Sequence, residues 1–137
     1  MRTPRASAVA FAAVMAVSIS GGAVSAHHSR AGYDSDDKIT TLKGVITEVR
    51  WRNPHVFIIW GVRDDKGSLV QWTGEFSSPA TMLSEGLSKD TFKMGDEVTV
   101  TFIPAKSGIP LGLVIKMVRP DGKVVLDLSQ RRGLRDP

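Results

Sequence analysis

The sequence predicts an all-β fold with one short helix, and three observations carry that expectation. Apolar and polar residues alternate at period two over several stretches. Turns rich in Gly, Asp and Pro separate those stretches, and a single segment joins a helix start to helical spacing.

The chain opens on Arg2 and Arg5, followed by the short apolar run Ala8 to Ile19. A charged start feeding such a run is the pattern of a secretory signal peptide. Twelve residues in a helix rise only about 18 Å, well short of a hydrocarbon core of about 30 Å, so a permanent membrane span is not expected. Val24-Ser25-Ala26 places small residues where a signal peptidase accepts them, which predicts residues 1–26 as signal and His27 as the first residue of the mature chain. Cleavage after Ala23 is the alternative.

Residues 27–38 are polar and aperiodic and are expected to form an N-terminal arm, with the β domain over 39–128 and a flexible tail over 129–137. Leu42 to Trp51 alternates as a strand does. His55 to Val62 is almost continuously apolar, which predicts a strand buried on both faces. Arg52-Asn53-Pro54 is a turn. Asp64-Asp65-Lys66-Gly67 is a second one, so His55 to Phe76 is expected to form a β-hairpin. In its second arm Val70, Trp72, Gly74 and Phe76 fall on one side and Gln71, Thr73 and Glu75 on the other.

Ser78-Pro79 supplies an N-cap and a proline at the first helical position, and the spacing predicts a helix over Ala80 to Leu87 with Met82, Leu83 and Leu87 on one stripe. Glu97 to Ile103 alternates most regularly of all. Leu111, Leu113, Ile115 and Met117 line one face of the next strand, and the turn Pro120 to Lys123 precedes a short Val124-Val125-Leu126. Elements in the order β-β-β-α-β-β are those of a small OB-like barrel of five to six strands.

Composition narrows the function. Without Arg2 and Arg5 the mature chain holds sixteen basic residues against fourteen acidic ones, a surplus of two instead of four. That surplus makes no footprint for nucleic acid. There is no cysteine, which excludes disulfides, thiolate metal sites and cysteine nucleophiles. A Gly-Xaa-Ser-Xaa-Gly elbow, a phosphate loop and a glycosidase-type carboxylate pair are also absent from the sequence.

The three histidines remain. If His27 is first, its α-amine and its imidazole can chelate one metal ion, and such nitrogens suit Cu(II) and, less specifically, Zn(II). His28 or His55 would add a further imidazole. The plainer expectation is a solvated His-His arm and a His55 that bonds a loop carbonyl. Trp60 and Trp72 fall on core-facing sides. Trp51, between Arg50 and Arg52 and followed by Asn53, is a candidate ligand-stacking position, and Glu75 is a candidate carboxylate ligand or acid/base group or else a solvated strand glutamate.

His27-His28-Ser29, Leu42-Lys43-Gly44, Trp51-Arg52-Asn53-Pro54-His55, the Trp72 strand, Lys93-Met94-Gly95-Asp96 and Pro120-Asp121-Gly122-Lys123 together resemble a group of exported bacterial proteins gathered as domain of unknown function 6152. Leu87 departs from that pattern, which sets tryptophan after Gly86. The resemblance implies a small exported β-barrel-like domain without an established activity, and it joins the two histidine-bearing segments in one pattern. The leading expectation is a periplasmic binding module for a small ligand, with copper or zinc held by His27, His28 and His55. The other expectations are a copper-dependent oxidoreductase, an OB module for oligonucleotides or glycans, and a structural protein acting through an envelope partner.

Overall fold

A computed structural model describes residues 30–35 and 37–129, and in these it has six strands and one helix. The expected signal peptide, His27, His28 and residues 130–137 lie outside them. The strands are β1 (Thr40–Arg50), β2 (Phe57–Arg63), β3 (Leu69–Glu75), β4 (Glu97–Pro104), β5 (Leu111–Val118) and β6 (Val124–Asp127), and the helix α1 is Pro79–Ser84.

The long strand β1 serves two neighbours. Thr40 to Val45 pair with β4, and Val45 to Arg50 pair with β2, both antiparallel. A bulge between Ile46 and Glu48 turns the strand from one partner to the other, and the Thr47 hydroxyl donates to the Ile59 carbonyl at 3.2 Å. β2 and β3 form the expected hairpin. Its turn is held by the Asp64 carboxylate, which accepts from the amides of Lys66 and Ser68 at 2.9 and 2.8 Å.

β5 closes the sheet. It pairs antiparallel with β4 and, through Thr73↔Leu111, Gly74↔Gly112 and Glu75↔Leu113, parallel with β3. The order β3-β2-β1-β4-β5 thus returns on itself as a five-strand OB-type barrel, with β6 added along β5. Closure removes most of the sheet edge.

Trp60, Phe102, Ile58, Val100 and Met117 fill the interior. Trp60, Trp72 and Phe102 form its aromatic centre, with ring centroids 4.9 to 6.2 Å apart. Both expected core tryptophans are therefore core. Strand β2 differs from expectation in that Phe57 and Ile59 are only half-buried. A closed barrel has one interior, so its outer positions are covered only where a loop or arm crosses them.

The helix also ends earlier than its spacing predicts. Ser78 caps it, accepting from the Thr81 amide at 3.3 Å. Gly86 stops it at φ +78°, with its amide on the Leu83 carbonyl and the Leu87 amide on that of Met82. In this closing motif Leu87 and Met82 are both buried. Leu83 leaves the expected stripe and is 58% exposed, because so short a helix covers the barrel with one turn only.

Candidate functional site

The hairpin ladder runs on past the strand ends. The Val56 amide donates to the Ser77 carbonyl at 3.1 Å and the Phe76 amide to the Val56 carbonyl at 2.9 Å. Phe57 stands opposite Glu75, so His55, two residues before it on the same outer face, is a diagonal neighbour of Glu75. His55 Nδ1 meets Glu75 Oε1. An ionised carboxylate has no hydrogen to give, so the imidazole is the donor here.

The second carboxylate oxygen is held from another direction. The arm turns through a 3-10 segment at Arg30–Gly32 and docks on the end of β4. Tyr33 bridges to Ala105, the Asp34 amide donates to the Pro104 carbonyl at 2.9 Å, and the Lys106 amide donates to the Gly32 carbonyl at 3.0 Å. This docking brings the Tyr33 hydroxyl to Glu75 Oε2, where it donates. Arm and barrel together cover a position that would otherwise face water. The His55 and Glu75 side chains retain 17% and 19% exposure.

Arg30, Tyr33, His55, Glu75, Ser77 and Leu113 line the resulting cleft together with the buried Phe76, and it is about 140 Å³ in volume. Burial raises the Tyr33 pKa above the ordinary tyrosine value, and the hydrogen bond to Glu75 and the charge on that carboxylate push it further the same way. In the unfolded chain this tyrosine ionises near pH 10, while the native state still keeps the proton. Native protein then binds more protons, so stability declines as pH rises above that point and is unaffected by this group below it. Tyr33→Phe is expected to remove that share of the alkaline decline. Urea midpoints of the two proteins from about pH 8 to about pH 11 check it, and parallel curves overturn it. Tyr33 is the chain's one tyrosine, so tyrosinate absorbance gives a second, site-specific titration.

Of the residues expected to form a site, the structure brings His55 and Glu75 together. Trp51, Arg50, Arg52 and Asn53 lie outside the cleft. Trp51 is partly buried and packs against the core. Arg50 is exposed and forks onto Glu48, with Nε to Oε1 at 2.6 Å and Nη2 to Oε2 at 3.0 Å, and this bond holds the Glu48 carboxyl below its usual range. Arg52 and Asn53 are exposed, and the Asn53–Pro54 peptide is cis.

Sequence reasoning passed over Arg30 and Tyr33. A single tyrosine in an otherwise polar arm was the available clue. Among the described residues no three His, Asp or Glu side chains gather to hold a metal ion, so His55 and Glu75 would need donors from elsewhere in the chain.

No curated protein and no solved structure matches the chain. One family model matches residues 13–115, a span that takes in His27, His28, Tyr33, His55 and Glu75. It ends within β5, short of the Pro120–Lys123 turn on which the resemblance also rests. The chain belongs to that family, described as a family of unknown function (DUF6152).

Proposed function

We propose that this chain is an exported, periplasmic binding module that holds Cu(II) or Zn(II) between an amino-terminal His27 and His55. One observation carries the reading. His55 turns Nδ1 onto the Glu75 carboxylate in a cleft that Arg30 also lines. Metal-binding histidines commonly give one ring N–H to a carboxylate, which sets the other nitrogen's lone pair toward the ion and raises its basicity. Nε2 is then the ligating atom of His55.

Chain reach supports the partnership. His28 precedes Arg30 by two residues and His27 by three. Extended backbone spans at most about 3.6 Å per residue, so the terminal pair starts within about 7 to 11 Å of the Arg30 backbone. The size of the cleft agrees with an ion and a few waters better than with a glycan or an oligonucleotide. Amine and imidazole nitrogens favour copper over zinc.

Calorimetric titration of mature protein with an authentic His27 terminus tests the reading. Cu(II) and Zn(II) are each expected to bind at one equivalent, and His55→Ala is expected to weaken Cu(II) binding at least about tenfold, or about 1.4 kcal/mol. Equal affinity for the wild type, the variant and a free His-His-Ser peptide overturns it.

A further inference from the structure

Glu75 joins two parts of the molecule that are far apart in sequence. Oε1 accepts from His55 Nδ1–H of the hairpin, and Oε2 accepts from the Tyr33 hydroxyl of the arm. Each bond has its own consequence. The first fixes where the imidazole carries its proton: with Nδ1–H on the carboxylate, the neutral ring has its lone pair on Nε2. The second ties down the segment that leads back to His28 and His27. Backbone bonds flank that tie on both sides, from the Lys106 amide to the Gly32 carbonyl and from the Asp34 amide to the Pro104 carbonyl.

We propose that Glu75 is a positioning residue with two outputs: it sets the His55 tautomer, so that Nε2 carries the lone pair a metal would meet, and it clasps the described part of the arm to the barrel through Tyr33. The part that concerns metal rests on the metal-binding reading above. The tautomer and the clasp are properties of the metal-free protein and are measurable without it.

The placement of the three residues favours this role over that of an incidental ion pair. Glu75 lies at the last position of β3, and its neighbour in the parallel ladder is Leu113, so the barrel seam fixes its backbone on one side and Phe57 does so on the other. The carboxylate is thus rigidly mounted. His55 follows the loop after β1 and Tyr33 sits in the arm, so one strand-mounted carboxylate meets side chains from two segments that lie outside the named strands.

The test uses metal-free mature protein with isotope-labelled histidine. Imidazole ¹⁵N spectra at a pH where the ring is neutral give the tautomer, the His55 signals being identified by their loss in His55→Asn. Hydrogen exchange at the Asp34 and Lys106 amides gives arm docking. Wild type is expected to show His55 with the proton on Nδ1. Glu75→Gln, whose amide can donate as well as accept, is expected to move the proton toward Nε2 and to speed exchange at both amides. Tyr33→Phe keeps the ring, and is expected to speed exchange while leaving the tautomer in place.

An unchanged tautomer in Glu75→Gln overturns the first output, and unchanged exchange in Tyr33→Phe overturns the second. Cu(II) affinity is expected to fall about tenfold to a hundredfold in Glu75→Gln, the usual cost of losing such an outer carboxylate. If wild type binds no metal yet the two metal-free patterns hold, the metal reading fails and the positioning role stands.

Discussion

Replacing Gly112 by valine is expected to leave no folded protein, and replacing it by alanine to cost about 1–3 kcal/mol, the range for overpacking a tight core. A Cβ at this position would stand 2.1 Å from Cδ2 of Phe102 and 2.7 Å from its Cγ. Ordinary carbon contacts lie at about 3.5–4.0 Å. The ring cannot step aside, because it is fully buried, packed edge-on against Trp60 at 5.6 Å and tilted against Trp72 at 4.9 Å.

Gly112 is also where the barrel closes. Its partner in the parallel ladder is Gly74, where a Cβ would stand 2.7 Å from Val114 Cγ2, so two glycines face each other at the seam. One residue further along, the same ladder sets Glu75 beside Leu113. Opening the seam would therefore remove the mount of the carboxylate as well as the fold. Urea midpoints of Gly112→Ala, Phe102→Leu and the double variant check the cause. A smaller side chain at 102 makes room for the added methyl, so the double variant is expected to cost less than the sum of the single ones. Additive costs, or a Gly112→Val protein of native stability, refute the argument.

Much of this architecture could be read along the chain, because alternation at period two reports which side of a strand meets the core. Val98, Val100 and Phe102 show it, and so does the set Trp72, Gly74 and Phe76. Strand β5 departs from it, since its register with β4 shifts at Ile115, so that Gly112 and Val114 turn inward with Met117 and Leu111 and Leu113 stay only part-buried. The end of α1 could not be read this way. Met82, Leu83 and Leu87 match helical spacing, but the closing motif at Gly86 carries Leu87 inward by a turn and leaves Leu83 outside. The outer face of β2 was overestimated for a related reason. An apolar run does not distinguish two buried faces from one interior and one face under partial cover.

Of the candidate site, His55 and Glu75 were legible in the sequence, and Tyr33 and Arg30 were not. His55 and Glu75 are twenty residues apart, and extending the register of the Asp64–Gly67 hairpin makes them diagonal neighbours. Tyr33 offered no such route. Its position depends on the arm meeting the loop after β4, a contact with no local pattern behind it. Trp51 was conspicuous in sequence for its flanking arginines, yet Arg50 is taken by Glu48, and the indole packs against the core.

Acetylation of the amino group of His27 in the mature protein is expected to weaken Cu(II) binding on the order of a hundredfold, equivalent to about 2.7 kcal/mol. The α-amine and imidazole of a single residue close one chelate ring, so the second nitrogen binds without a further loss of chain freedom. Acetylation turns that amine into an amide with no lone pair to offer and leaves every side chain as it was. His55→Ala tests the other half of the same site, and its smaller expected cost reflects the loss of one donor outside the chelate. Adding a residue before His27 would be a poor substitute: a retained Ala26 would put His27 second and His28 third from the amino terminus, offering copper a different set of backbone nitrogens. Semisynthetic protein carrying either a free or an acetylated His27, titrated with Cu(II) by calorimetry under identical conditions, gives the comparison. Equal affinities would show that the amine takes no part, and cleavage after Ala26 would then lose its functional meaning, since the chelate is what makes that particular peptide bond decisive.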